Sequence, residues 1–164
     1  MSVVLFPALK RMEPEKLPEL YFTVRKYLAP GLCLAMFLYF LCKVLLENWL
    51  PLYKVSCEYL GLLLPSILFT TKTGLLTNNY LKHYRKEKEL LKINVWTVVL
   101  SVFVSLFSAL VLQSLTVLLI GIVFALGVRT VWSELVVMKE IGKIEWKGIV
   151  AEFLYSVIFI LWVI

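Results

Sequence analysis

The chain contains no aspartate; all eleven of its acidic side chains are glutamates, and it has a single histidine, His83. With one histidine and three scattered cysteines (Cys33, Cys42 and Cys57) there is no CxxC pair and no His/Cys metal set. The cysteines sit in or beside apolar runs, where they read as small buried hydrophobes. Also missing are a Gly-rich phosphate loop, a Ser/His/Asp order and a pair of catalytic carboxylates. The expectation is therefore a protein that is not an enzyme and carries no cofactor. No cleavable signal is expected either: Val3–Leu9 has no basic residue before it and Lys10-Arg11 after it.

What the sequence has in excess is hydrocarbon. Of 164 residues 61% are hydrophobic and 17% charged, and mean hydropathy is +0.88. A soluble domain has about 45–50% apolar and about 25% charged residues, because it must cover itself with polar surface. Here a bilayer removes that need. The net charge of +6 could suggest nucleic acid, but the basic residues fall between apolar runs. An anionic membrane surface suits them better, so membrane lipids are the expected partner and nucleic acid is not.

A spanning helix needs about 20 mostly apolar residues. Five stretches qualify or nearly qualify within the tolerated range of about 17–25: 27–46, 54–76, 95–112, 115–132 and 148–164. Gln113-Ser114 makes the third and fourth a tight hairpin. Lys and Arg set orientation. Lys10, Arg11, Lys16, Arg25 and Lys26 precede the first span. Lys82, Arg85, Lys86, Lys88 and Lys92 lie between the second and third, with Lys72 at the membrane edge. Arg129 at the edge of the fourth is followed by Lys139, Lys143 and Lys147. Only Lys43 and Lys54 remain for the alternate side. The basic connections are therefore expected in the cytoplasm, and the fold is an all-α polytopic transmembrane bundle forming one region, 1–164. Ser2–Leu9 reads as a helix stump too short to span, and the apolar C-terminus has no polar tail; both suggest a piece of something longer.

Small residues permit close packing between helices in lipid. Ser101, Ser105 and Ser108 form one such stripe, Gly121 and Ala125 another that Arg129 continues, and Gly31, Ala35, Tyr39 and Cys42 a third. Pro30 is read as starting the first span, and Pro65 as kinking the second in mid-membrane. These faces serve either ordinary packing or a bundle that rocks around a cavity. Ionisable groups inside a membrane are costly and suggest function. Lys43 and Glu58 lie near the outer interface, Arg129 and Glu134 near the inner one, and Glu152 about a turn into the last span. Arg129, Lys43, Glu58 and Glu152 are the candidate substrate-binding residues; an inward cation would suit phosphate, while snorkelling is the plainer reading of Lys43. The link YLKHYRKEKELLK, 80–92, holds Lys82, Arg85, Lys86, Lys88 and Lys92. It reads as a short interfacial helix with Leu81, Tyr84 and Leu91 toward lipid, or as a solvated loop.

The run LPLYKVSCEYLGLLLPSILFTTKTGLLTNNYLKHYRKEKELLKIN from Leu50 to Asn94, the hairpin after it and SELVVMKE from Ser133 resemble the Wzx-like polysaccharide flippases of the multidrug/oligosaccharidyl-lipid/polysaccharide superfamily. The opening VLFPALKRMEPEKLPELYFTV resembles the family's entry to its second half. The likeness spans nearly the whole chain but only about the C-terminal third of such a transporter. It implies translocation of undecaprenyl-diphosphate-linked oligosaccharide across a bacterial inner membrane for cell-surface polysaccharide biosynthesis. It further implies two halves around a cavity working by alternating access, with an N-terminal half as partner. A small multi-pass interaction protein and a drug or cation antiporter of the same superfamily stand as alternatives.

Overall fold

The computed structural model describes residues 16–49, 54–142 and 146–163, and among these it is helical throughout, with no strand. The helices are α1 (Leu17–Trp49), α2 (Lys54–Lys72), α3 (Asn78–His83), α4 (Glu87–Phe107), α5 (Leu115–Ile141) and α6 (Trp146–Val163). Four stretches are long and apolar enough to cross a membrane: Leu17–Trp49, Tyr59–His83, Glu87–Leu110 and Leu115–Ile141; the apolar stretch of α6, Gly148–Val163, is shorter. The lipid-type surface is evident in α4, where Trp96, Val99, Phe103 and Leu106 are exposed. Such a helix, apolar on its outer face, is stable where no water competes for the backbone. The expected stump at Ser2–Leu9 lies outside the described residues.

Helices run further than the hydropathy reading placed them. Pro30 does not start α1; it sits inside a 33-residue helix that opens at Leu17. The link 80–92 is no separate interfacial helix. Helix α2 passes through a π-helical turn, Thr73–Thr77, into α3, and a tight turn at Tyr84–Lys86 leads directly to α4. Arg85 takes a left-handed φ of 54° there. Leu81 is fully buried rather than facing lipid, whereas Leu91 is exposed. Lys86 Nζ reaches Glu140 Oε1 at 2.9 Å, tying the turn to the end of α5, and burial together with the Glu140 carboxylate raises the Tyr84 hydroxyl above its ordinary pKa. The hairpin at 113–114 is as expected: Gln113 is left-handed (φ 46°) and Ser114 extended.

Two cores hold the helices. One joins Leu17, Tyr21, Leu76, Tyr80, Val137 and Ile149. The other joins Met36, Tyr39, Leu68, Phe69, Val123 and Phe159. The Tyr39 hydroxyl donates to the Cys57 carbonyl at 2.6 Å, and its ring lies over Gly61, where an added Cβ would meet the Tyr39 Oη at 2.6 Å and Val163 Cγ1 at 2.8 Å. The stripe on α5 does pack: a Cβ on Gly121 would run into Val104 Cγ1, and Ala125 is fully buried. The stripe on α1 packs only at Tyr39 among its described side chains: Gly31 has nothing within 4 Å and Cys42 is exposed. Opposite outcomes are expected at two glycines. Gly61→Val should lower the melting temperature in detergent, overpacking costing about 1–3 kcal/mol. Gly31→Ala should raise it, since alanine in a helix interior gains about 0.5–1 kcal/mol.

Candidate functional site

Four helices each bring one charged side chain to a single buried point: Arg25 from α1, Lys72 from the end of α2, Glu134 from α5 and Glu152 from α6. Their side chains are 6%, 1%, 1% and 12% exposed. Glu134 Oε1 is the hub. It accepts from Lys72 Nζ at 2.7 Å, lies 3.4 Å from Arg25 Nε and accepts from the Tyr21 hydroxyl at 3.4 Å. Glu152 turns one oxygen to Lys72 Nζ and the other to Arg25 Nη2 at 3.6 Å. Two cations and two carboxylates balance formally. That balance is what allows four charges to leave water, since desolvation otherwise exceeds the attraction.

Local structure explains the placement. Lys72 is the last residue of α2 before the π turn, a device that locally repositions side chains and recurs at functional sites. The turn is stitched by side chains. Asn79 Nδ2 donates to the Leu75 carbonyl at 2.6 Å. Thr73 Oγ1 donates to the Phe69 carbonyl at 2.8 Å and lies 3.0 Å from Thr130 Oγ1 on α5. On the other side, Gly148 opens α6 to Arg25: a Cβ there would stand 2.9–3.0 Å from the guanidinium. The absence of a side chain at 148 lets the Arg25 plane lie against the α6 backbone.

The quartet is not sealed. A cavity of about 400 Å³ lined by Phe22, Arg25, Lys26, Pro30, Gly148 and Glu152 leads to it between α1 and α6. Helix α6 packs chiefly on α2, and two apolar hollows of about 530 and 260 Å³ separate it from α5. Trp132 and Trp146 flank the larger one, and Phe153 lines both.

Of the candidate residues chosen from sequence, the structure brings only Glu152 into this cluster. Lys43 is half-exposed near the end of α1. Glu58 lies in α2, its side chain outside the described residues. Arg129 is half-buried on α5, and its Nε is buried without a hydrogen-bond partner among the described residues. Of the basic-loop residues, Lys86 pairs with Glu140 and Lys92 with Glu89, and Lys82, Arg85 and Lys88 are exposed. Sequence reasoning missed Arg25 and Lys72, and noted Glu134 near the inner interface without making it a candidate binding residue. Arg25 and Lys72 had been counted with the loops that set topology, yet both are buried. The available signal was the i, i+4 pair Tyr21/Arg25 on one face of α1, carrying polar groups into a helix otherwise facing an apolar core. Among the described residues no group of three His, Cys, Asp or Glu could hold a metal. No family model, curated protein or solved structure matches the chain.

Proposed function

We propose that this protein is a membrane transport component without enzymatic activity, forming part of the wall of a translocation path for lipid-linked oligosaccharide. The observation that carries the proposal is the buried quartet Arg25–Lys72–Glu134–Glu152, reached by a cavity between two helices. A purely structural bundle gains little from four charges that an apolar set could replace. A carrier gains a charged point that can exchange partners inside the bilayer. The resemblance to Wzx-like flippases supplies the cargo class: an undecaprenyl-diphosphate-linked oligosaccharide crossing a bacterial inner membrane, with the basic connections cytoplasmic and an N-terminal half as partner. Both buried carboxylates already face internal cations, which weighs against a drug or cation cargo.

The test is translocation of a fluorescent lipid-linked oligosaccharide in proteoliposomes, with the chain alone and co-reconstituted with its partner half. Translocation above that of empty liposomes is expected in at least one arrangement. Its absence in both would favour the alternative of a multi-pass interaction protein with no transport of its own. The unpartnered Arg129 Nε adds a second expected contact for the diphosphate. Arg129→Ala and Arg129→Lys should both slow translocation, by roughly tenfold for a lost charge-assisted contact. Unchanged rates in both variants would remove Arg129 from the site.

A further inference from the structure

Two tight turns among the described residues put a side chain other than glycine into the left-handed region, Arg85 (φ 54°) and Gln113 (φ 46°). At the first, the Lys86 N–H donates to the Leu81 carbonyl at 2.9 Å and the Arg85 N–H to the Lys82 carbonyl at 3.2 Å. This pair of bonds closes α3 as a Schellman motif, and Arg85 fills the position that glycine usually takes. A Cβ in that conformation crowds the next carbonyl oxygen and costs stability. Helix α5 ends on the cheaper choice, Gly142 at φ 77°. Strain alone names no ligand, because Gln113 bears it too, in a stretch with no charged residue between Lys92 and Arg129. Arg85 differs in its company.

From 82 to 92 the chain carries five cations, Lys82, Arg85, Lys86, Lys88 and Lys92, against two glutamates, Glu87 and Glu89. Lys86 is paired with Glu140 and Lys92 with Glu89. Lys82, Arg85 and Lys88 are exposed and have no ion-pair partner among the described residues. Their depth follows from α4. Its apolar outer face opens at the exposed Leu91 and continues through Val95, Val99, Phe103 and Leu106 to Leu110. The rise from Leu91 to Leu110 is about 30 Å, the thickness of a hydrocarbon core. Lys88 lies one turn before Leu91, about 5 Å. A bilayer that covers Leu91 therefore sets its phosphates beside Lys88 and the turn.

Topology asks only for cations somewhere in this connection, not for one at the backbone position where a side chain costs most. We propose that the 82–88 turn is a binding site for the phosphate of anionic membrane phospholipids, and that Arg85 forgoes the stability of glycine so that its guanidinium holds that phosphate. The planar fork donates two parallel hydrogen bonds to phosphate oxygens, and Lys82 and Lys88 add attraction to the same anionic surface. Lys86, held by Glu140, ties the lipid-bearing turn to the end of α5. The site governs how the chain is seated in its membrane, and it stands whether or not the protein moves a cargo.

The test pairs binding with stability. The full chain in a neutral detergent is titrated with phosphatidylglycerol or with phosphatidylcholine, and bound lipid is counted by native mass spectrometry. Melting is recorded with no lipid added. The parent protein should take phosphatidylglycerol more tightly than phosphatidylcholine. Arg85→Gly should lose about fivefold in phosphatidylglycerol affinity with its phosphatidylcholine affinity unchanged. Without lipid it should nevertheless melt higher than the parent, by roughly 2–4 °C, because the strained side chain is gone. Lys43→Gln removes one charge as well, but its site lies roughly 40 Å along α1 from Leu17, which shares a core with Leu81 beside the turn. Its phosphatidylglycerol affinity should match the parent's. Four results each overturn the proposal: equal affinities for the two lipids in the parent, parent-like phosphatidylglycerol affinity in Arg85→Gly, equal losses in Arg85→Gly and Lys43→Gln, or a lower melting temperature for lipid-free Arg85→Gly.

Discussion

Lys72→Met should lower the thermal stability of the protein in detergent as much as the largest apolar truncations in its cores. The ammonium is 1% exposed, 2.7 Å from Glu134 and in contact with Glu152. Removing it leaves two carboxylates facing Arg25 alone, and breaking a buried pair from one side costs about 3–5 kcal/mol. For a chain of this size that corresponds to a fall of roughly 6–20 °C in melting temperature. Glu134→Leu should be comparably damaging, since Glu134 Oε1 accepts from Lys72 and Tyr21 and lies beside Arg25. The double variant Lys72→Met/Glu134→Leu should recover much of the loss, because it removes a positive and a negative charge together and leaves Arg25 with Glu152. Recovery in the double variant would show that electrostatic pairing, not side-chain volume, sets the penalty. Strictly additive losses would contradict the geometry described for the quartet.

The second large effect concerns a residue with no side chain. Gly148→Leu places a Cβ 2.9–3.0 Å from the Arg25 guanidinium and puts the rest of the side chain where that group lies. The guanidinium must leave Glu134 and Glu152, or α6 must move away from α1. Either outcome adds an electrostatic loss to an overpacking cost of about 1–3 kcal/mol. Alanine at 148 should cost less, because the clash falls on the far end of a flexible side chain and alanine gains helix propensity. The expected melting order is parent, then Gly148→Ala, then Gly148→Leu. A Gly148→Leu protein as stable as the parent would mean that Arg25 does not rest against α6.

Much of the architecture was legible because lipid-facing positions dominate the composition. Long runs such as Val95–Leu112 announce themselves as membrane helices, and the Gln113-Ser114 interruption marks the hairpin seen in the structure. The Gly121/Ala125 face was legible for a related reason: only small residues let the backbones of α4 and α5 approach as they do. Helix ends were not. Polar residues such as those from 17 to 26 and from 78 to 92 continue the helices beyond the apolar core, and hydropathy is blind to a helix once its side chains are charged. The quartet was hidden by the same rule that set topology. A lysine at the edge of a span looks like a loop cation, and only the positions of α5 and α6 in space show that Lys72 and Arg25 point inward onto Glu134 and Glu152. Pairing between residues as far apart in sequence as 72 and 152 leaves no local pattern to read.

The transport reading requires that the apolar helices, long enough to cross a membrane, do cross one, with the 84–86 turn on one side and the 113–114 turn on the other. Cysteines introduced singly at Lys88 and Gln113, both exposed, test it in intact spheroplasts once Cys33, Cys42 and Cys57 are replaced by alanine. A membrane-impermeant maleimide should label position 113 in intact spheroplasts, and position 88 only after the membrane is opened. Labelling of 88 with 113 protected, or recovery of the chain as a soluble species without detergent, would contradict it.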